Sequence, residues 1–102
     1  MNIVLIGFRG TGKSTVGRLL AKHLERDFID SDKYIEDSTE KTIKSIFEED
    51  GEEGFRKIEA GTIAELSKAD NKVISAGGGA VLKEDNVRNL KDNGFLVLLE
   101  AT

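Results

Sequence analysis

The sequence predicts an α/β domain in which a mostly parallel sheet lies between two layers of helices. Three observations indicate this fold class. Short apolar segments alternate with helical periodicity along the whole chain, which is typical of a parallel sheet because parallel strands need crossover connections. The first apolar segment runs directly into a glycine-rich loop. The 102 residues contain no proline and no low-complexity linker, so we expect one small domain over residues 1–102.

The hydrophobic spacing predicts each element in turn. Asn2 to Ile6 is typical of a buried strand, and Val16, Leu19, Leu20 and Leu24 recur at helical spacing within residues 13–25. The remaining elements are a short strand at 27–29, a brief helix at 34–38, a helix around 43–47 that ends near Gly51, a longer helix over 55–66, a strand at 72–76, a short helix around 87–90 and a strand at 95–99.

Residues Gly7 to Ser14 fit the phosphate-loop pattern Gly-x-x-x-x-Gly-Lys-[Ser/Thr]. The pattern lies between a predicted strand and a predicted helix; outside that context it would be an ordinary glycine-rich turn. Its backbone N–H groups can point at phosphate oxygens beside the positive end of the helix. Lys13 is expected to reach the β- and γ-phosphates, and the Ser14 hydroxyl to bind the bridging Mg²⁺. The sequence therefore predicts Mg-ATP bound by Gly10, Thr11, Gly12, Lys13, Ser14 and Thr15.

The composition excludes several classes of partner. The formal net charge is -4, whereas nucleic acids and anionic membranes are bound by clustered Lys and Arg. No apolar run approaches the roughly 20 residues of a membrane span, and the absence of cysteine leaves no disulfide framework. Because Met1 leads directly into a predicted strand, we expect no signal peptide. These features predict a cytoplasmic protein of small-molecule chemistry, with neither nucleic acid nor membrane as a partner.

Two carboxylates follow the second predicted strand, in Asp30-Ser31-Asp32. Ligands of open parallel sheets bind beyond the carboxyl ends of the strands, so we expect this loop and the phosphate loop to face one crevice. Carboxylates beside a phosphate site can divide the work, one serving the metal and the other the acceptor hydroxyl. The alternative interpretation is helix capping, because Asp is favoured at N-caps and a helix begins nearby.

Three consecutive glycines, Gly77-Gly78-Gly79, follow the third predicted strand. They raise the entropic cost of ordering the backbone, which suggests that a ligand or another backbone approaches closely. The alternative is a flexible turn. Arg56 lies on a charge-rich helix and is weak evidence alone, because most such arginines are solvated.

Taken together, these motifs resemble those of the shikimate kinases, and the resemblance extends along essentially the whole chain. It is carried by residues 7–14, 28–32, 54–59 and 73–81. The resemblance implies a P-loop kinase fold of the nucleoside monophosphate kinase type, with three layers α/β/α. It also implies transfer of the ATP γ-phosphoryl group to the 3-hydroxyl of shikimate, a step toward chorismate and the aromatic amino acids.

The resemblance also implies a role for each site residue. Asp30 would help to hold Mg²⁺ through its water shell together with Ser14, and Asp32 would orient the ring hydroxyls and act as the base. Arg56 would pair with the shikimate carboxylate through its planar fork. The implied set is Lys13 and Asp32 as catalytic residues, Asp32, Arg56, Gly78 and Gly79 as substrate ligands, Ser14 and Asp30 at the metal, and Phe47 and Phe55 lining the pocket.

Shikimate kinases continue beyond the position of Thr102, so we expect the fold to be incomplete at its C-terminus. The resemblance places there a lid with a phosphate-contacting arginine, a second arginine for the substrate carboxylate, the last strand and the adenine contacts. Without a lid the site stays hydrated, which predicts weak or no turnover by the 102 residues. Full-length relatives are expected to be monomers, whereas the apolar edge strand at 95–99 predicts self-association of this chain.

Two other functions remain open. One is another small-metabolite P-loop kinase, such as a gluconate or nucleoside monophosphate kinase, which the Asp-x-Asp and triple-glycine motifs disfavour. The other is a noncatalytic nucleotide- or shikimate-binding fragment. A signalling GTPase is not expected, because neither an Asn-Lys-x-Asp nor an Asp-x-x-Gly motif occurs.

Overall fold

The computed structural model describes residues 1–7 and 12–99, and within them four strands form one parallel sheet. The strands are β1 (Asn2–Ile6), β2 (Asp27–Asp30), β3 (Lys72–Ser75) and β4 (Gly94–Leu98). They lie side by side in the order β2-β3-β1-β4. Val4 lies opposite Ile74 on one side and Leu96 on the other, and Ile29 also pairs with Ile74. All four carboxyl ends therefore meet at one edge of the sheet.

The helices follow the predicted order. They are α1 (Lys13–Leu24), α2 (Ser31–Thr39), α3 (Ile43–Ser67) and α4 (Glu84–Asp92), with a 3-10 turn at Ala80–Leu82. Helix α2 begins three residues earlier than the hydrophobic spacing indicates, because Asp30 caps it. Within residues 1–7 and 12–99, no helix has both the length and the apolar character needed to cross a membrane.

Successive strand residues point to opposite faces of the sheet, and each face is covered by helices. On one face Leu5 and Val73 pack with Ala21 of α1. On the other face Val4 and Ile74 pack against Ile63 of α3 and Leu90 of α4, which form a second core cluster. The predicted α/β/α arrangement of three layers is therefore confirmed.

Helix α3 contains a sharp change of direction at Gly51, where the backbone is not helical (φ 73°, ψ 179°). On a straight helix, residues 47 and 55 would be about 12 Å apart along the axis. Instead the rings of Phe47 and Phe55 stack with their centroids 4.7 Å apart. The prediction that Gly51 separates two helical segments is confirmed, and the bend brings both aromatic rings to one place.

Strand β4 lies at one edge of the described sheet, as predicted, and pairs with β1 alone among the described strands. Two of its large apolar side chains are largely exposed, Phe95 at 64% and Leu98 at 58%. They lie at odd and even positions of the strand and therefore face opposite sides of the sheet.

Candidate active site

A cavity of about 490 Å³ opens at the carboxyl ends of β1, β2 and β3, within the usual size range of small-molecule sites. The prediction that the phosphate loop and the Asp30–Asp32 segment face one crevice is confirmed, and residues 75–79 at the end of β3 face it as well. The predicted site residues that the structure describes all line this cavity: Gly12, Lys13, Ser14, Thr15, Asp30, Asp32, Arg56, Gly78 and Gly79. Phe47 and Phe55 line it too. Gly10 and Thr11 lie outside the described residues.

Gly12 of the phosphate loop directly precedes α1 and has a left-handed conformation (φ 73°, ψ 20°). No side chain of the described residues caps the helix there, so its first N–H groups are available to an anion. The Lys13 Nζ donates to the backbone oxygens of Gly7, at 3.0 Å, and Ala76, at 2.6 Å. Burial lowers the pKa of Lys13, while the charges of Asp32 and Asp30 act in the opposite direction. The lysine thus joins the ends of β1 and β3.

Asp30 performs two tasks, one with each oxygen of its carboxylate. Its Oδ1 accepts from the backbone N–H groups of Asp32, at 3.0 Å, and Lys33, at 3.3 Å, so the capping interpretation is confirmed for this residue. Its Oδ2 accepts from the Ser14 Oγ at 3.1 Å. Capping and a place beside the phosphate loop are therefore compatible.

The Ser14–Asp30 pair fits a magnesium site. Both groups offer oxygen ligands, which Mg²⁺ prefers. Within the described residues there is no group of three or more His, Cys, Asp or Glu side chains that could hold a metal. Mg²⁺ commonly keeps several waters and binds through one or two protein oxygens plus phosphates, so the two oxygen-bearing side chains are compatible with such a site.

Asp32 lies in the first turn of α2 and faces the cavity. Burial raises the pKa of its carboxyl, and the neighbouring charges of Asp30 and Glu36 raise it further, against the opposing effects of Lys13 and Arg56. The carboxylate is therefore within electrostatic reach of a cation on the phosphate loop and a cation on α3.

Arg56 is fixed at the wall of the cavity by its neighbours on α3. Its side chain is 32% exposed, and its Nη1 donates at 2.8 Å to Oε1 of Glu59, whose side chain is only 2% exposed. Its guanidinium carbon also lies 5.3 Å from the centroid of the Phe55 ring. Burial raises the pKa of Glu59, and the Arg56 charge opposes that rise.

Two residues of the site have no role in the sequence-based prediction. Glu59 could have been found, since it lies three positions after Arg56 on the same helix and such pairs are neighbours. Ser31 could not: it is buried, and its Oγ accepts from the Gly77 N–H at 2.8 Å across 46 residues. That bond joins the Asp30–Asp32 turn to the glycine loop, which local sequence cannot reveal.

Comparison with known proteins agrees with these motifs. A family model described as shikimate kinase matches residues 9–102. Shikimate kinases of Symbiobacterium thermophilum and Pelotomaculum thermopropionicum are 48% and 55% identical to the chain over 101 and 100 residues, covering 99% and 98% of it. The match covers 58% of each of these relatives.

Solved structures give the same result. The shikimate kinase of Acinetobacter baumannii in complex with shikimate superposes with a TM-score of 0.96 at 46% identity, covering 99% of this chain and 56% of that one. The enzyme of Aquifex aeolicus superposes with a TM-score of 0.94 at 40% identity, covering 100% and 61%. The chain thus spans somewhat more than half the length of these relatives, and the nucleoside monophosphate kinase-like fold is confirmed. The chain belongs to the shikimate kinase family.

Proposed function

We propose that the protein transfers the γ-phosphoryl group of ATP to the 3-hydroxyl of shikimate, giving shikimate 3-phosphate and ADP. The observation that carries this proposal is that Lys13, Asp32 and Arg56 all line one cavity. A phosphate-binding cation, a carboxylate and a carboxylate-binding cation are the groups that a kinase acting on a hydroxy acid needs. Family membership and the shikimate complex of the Acinetobacter baumannii enzyme support it.

At the nucleotide end, the N–H groups of the α1 N-terminus and Lys13 bind the phosphates. Lys13 exchanges its two backbone acceptors for phosphate oxygens, which develop more negative charge as the reaction proceeds. Ser14 and Asp30 would hold Mg²⁺ beside the phosphates. When bound, the metal neutralises charge on the β- and γ-phosphates.

At the acceptor end, Arg56 binds the shikimate carboxylate. Its planar guanidinium suits a bidentate contact with that group, and the buried Glu59 holds it in place. The N–H groups and bare backbone of Gly78 and Gly79 form the neighbouring surface. Binding the carboxylate at Arg56 directs the ring hydroxyls toward Asp32, which lines the same cavity.

Asp32 orients the 3-hydroxyl and accepts its proton. As the hydroxyl oxygen bonds to the γ-phosphorus, the bond from that phosphorus to the ADP oxygen breaks, and the proton passes to the Asp32 carboxylate. A raised pKa brings this carboxyl closer to the working pH, where a general base is more effective.

The first test is calorimetric titration of shikimate into the 102-residue chain with Mg-ADP present. Saturable binding of shikimate, with no heat from gluconate, is expected. Arg56→Lys keeps the charge but loses the planar fork, and should raise the Kd by about 10-fold or more. Equal binding of gluconate would point to another small-metabolite kinase, and no heat from either acid in a folded chain would refute the acceptor assignment.

The second test measures shikimate-dependent release of ADP from Mg-ATP. Asp32→Asn should abolish shikimate-dependent turnover while leaving the affinity for ADP within about 2-fold, because general base catalysis is worth about 10²–10⁴-fold. Asp37→Asn is the matched control, since Asp37 lies on the exposed side of α2 and pairs only with Lys33 among the described residues. Shikimate binding without turnover in the unmodified chain would assign noncatalytic binding to these 102 residues, and full activity of Asp32→Asn would refute its role as base.

A further inference from the structure

The glycine loop at 77–79 lies against the protein's own reactive side chains. A Cβ at Gly77 would lie 2.7 Å from Oδ1 of Asp32, and one at Gly79 would lie 2.5 Å from Nη2 and 2.7 Å from Cζ of Arg56. Real Cβ atoms essentially never approach other atoms within 3.0 Å. At Gly78 the nearest atom would be 3.8 Å away, an ordinary contact. A methyl group at Gly77 or Gly79 would therefore displace the end of the side chain that it meets, whereas one at Gly78 would not.

We propose that Gly77 and Gly79 are positioning residues, whose bare Cα atoms set where the Asp32 carboxylate and the Arg56 guanidinium lie. Sequence reasoning explains these glycines by the close approach of a ligand or another backbone, whereas the contacts relate them to the side chains of Asp32 and Arg56. The consequence for the reaction rests on the proposed function; the positioning of the two side chains does not.

Hydrogen bonds hold the loop at both of its ends. The Gly77 N–H donates to the buried Ser31 Oγ at 2.8 Å, and the Gly77 oxygen accepts from the Ala80 N–H at 2.9 Å. The Ala80 oxygen in turn accepts from Nδ2 of the buried Asn86 at 3.0 Å. Because the loop is fixed and the opposing atoms are the ends of flexible side chains, a methyl group would displace those side chains rather than unfold the loop.

Two contacts hold Arg56 in the position where it faces Gly79. Glu59 holds its Nη1 at 2.8 Å on α3, and the Phe55 ring lies 5.3 Å from its guanidinium carbon. A methyl group at Gly79 would therefore force the guanidinium to give up the Glu59 contact or to leave its position over the loop. Either change moves the group that would bind the substrate carboxylate.

Nuclear magnetic resonance of the full 102-residue chain tests the positioning without any ligand. In Gly79→Ala the guanidinium ¹⁵N signals of Arg56 should shift while the ¹³Cγ signal of Asp32 does not, and Gly77→Ala should give the reverse pattern. Gly78→Ala, the same change within the loop, should move neither. The proposal is wrong if Gly78→Ala moves these signals as much as its neighbours do, or if Gly79→Ala leaves Arg56 unmoved.

A folding defect in Gly77→Ala would itself be informative. If the methyl group acts through the Asp32 carboxylate, adding Asp32→Ala should restore the lost stability, because it removes the opposing atoms. Failure of that second substitution to restore stability would overturn the assignment for Gly77.

A double-mutant cycle on shikimate affinity tests whether Gly79 acts through Arg56. Gly79→Ala should raise the Kd for shikimate by about 10-fold in the unmodified chain and by less than about 2-fold in an Arg56→Ala background. An equal loss in both backgrounds would mean that the methyl group meets the ligand directly, which would overturn the proposal. If the unmodified chain does not bind shikimate, the proposed function fails. The resonances of Arg56 and Asp32, which are recorded without any ligand, would still decide whether the two glycines position these side chains.

Discussion

Replacing Gly51 by alanine tests how the bend in α3 builds the cavity wall. Gly51 adopts φ 73° and ψ 179°, a region that only glycine populates readily. Among the described residues, apart from its chain neighbours and the nearby helix backbone, no atom lies within 4 Å of the position that its Cβ would take. The substitution therefore introduces backbone strain without a steric clash, and its effect measures the strain alone.

The expected loss follows from the cost of a side chain in this region, about 1–3 kcal/mol. For a domain of about 100 residues, 1 kcal/mol shifts Tm by roughly 4–8 °C, so Gly51→Ala should lower Tm by about 4 °C or more. Gly61→Ala is the matched control, because Gly61 lies in the second half of α3 and its Cβ would also meet open space. There the φ is not positive, so alanine should stabilise the chain by roughly 0.5–1 kcal/mol.

Urea unfolding of the two variants measures both effects, and the difference in sign is the decisive result. A second readout follows the Phe47–Phe55 stack, whose ring signals should change in Gly51→Ala and not in Gly61→Ala, since only the bend brings these rings within 4.7 Å. Equal changes in stability for the two variants, or an unaltered stack in a destabilised Gly51→Ala chain, would refute the reasoning.

Three further predictions concern charge and association. Lys13→Met should weaken Mg-ATP binding by about 10-fold or more, since a hydrogen bond to a charged group contributes about 1.5–3 kcal/mol. Lys22→Met, on the exposed side of α1, should leave the affinity unchanged. Equal losses of affinity in the two variants would contradict the assignment of Lys13 to the phosphates. Because burial raises the folded-state pKa of Glu59 above its ordinary 4.5, its stabilising contribution is complete below that value and lost as pH rises through the raised pKa. Urea unfolding at a series of pH values should therefore show that, as pH rises, the free energy of unfolding of the unmodified chain falls relative to that of Glu59→Gln. A difference between the two free energies that does not change with pH would contradict this prediction. Sedimentation should show association that increases with concentration and decreases in Phe95→Lys, because the exposed edge of β4 can pair with another chain; a monomer at high concentration would contradict this.

The sequence predicts the order and type of the elements because the fold depends on local periodicity. Alternating segments of period 2 and period 3.6 require a parallel sheet, and the carboxyl ends of its strands must then share one edge. The phosphate loop and the Asp30–Asp32 turn each follow a strand directly, so their approach follows from topology alone. Their actual contact, from the Ser14 Oγ to Asp30, is consistent with that expectation.

The rest of the site depends on contacts between distant segments, which no local pattern encodes. The Lys13 Nζ reaches Ala76 across 63 residues, and the Gly77 N–H reaches Ser31 across 46. The glycine loop at 77–79 is an example. The sequence shows that side chains are absent from the loop, but only the fold shows that Asp32 and Arg56 occupy the space where Cβ atoms of Gly77 and Gly79 would lie. Gly61 remains without a physical account, since within residues 1–7 and 12–99 its Cβ would have no close neighbour and its φ is not positive.

Both cations of the site are already partnered by the protein, which affects how anionic ligands would bind. Lys13 donates to two backbone oxygens, and Arg56 to the buried Glu59. When a phosphate or carboxylate binds, it replaces or shares contacts that these side chains already make within the protein. The net gain in binding free energy is the difference between the new and the old contacts, so each contact adds modest affinity. The side chains are, however, ordered when the chain folds, so their conformational entropy is not lost on binding. Such a site favours correct placement of the reacting groups over tight binding, and placement is what phosphoryl transfer chiefly requires of a protein.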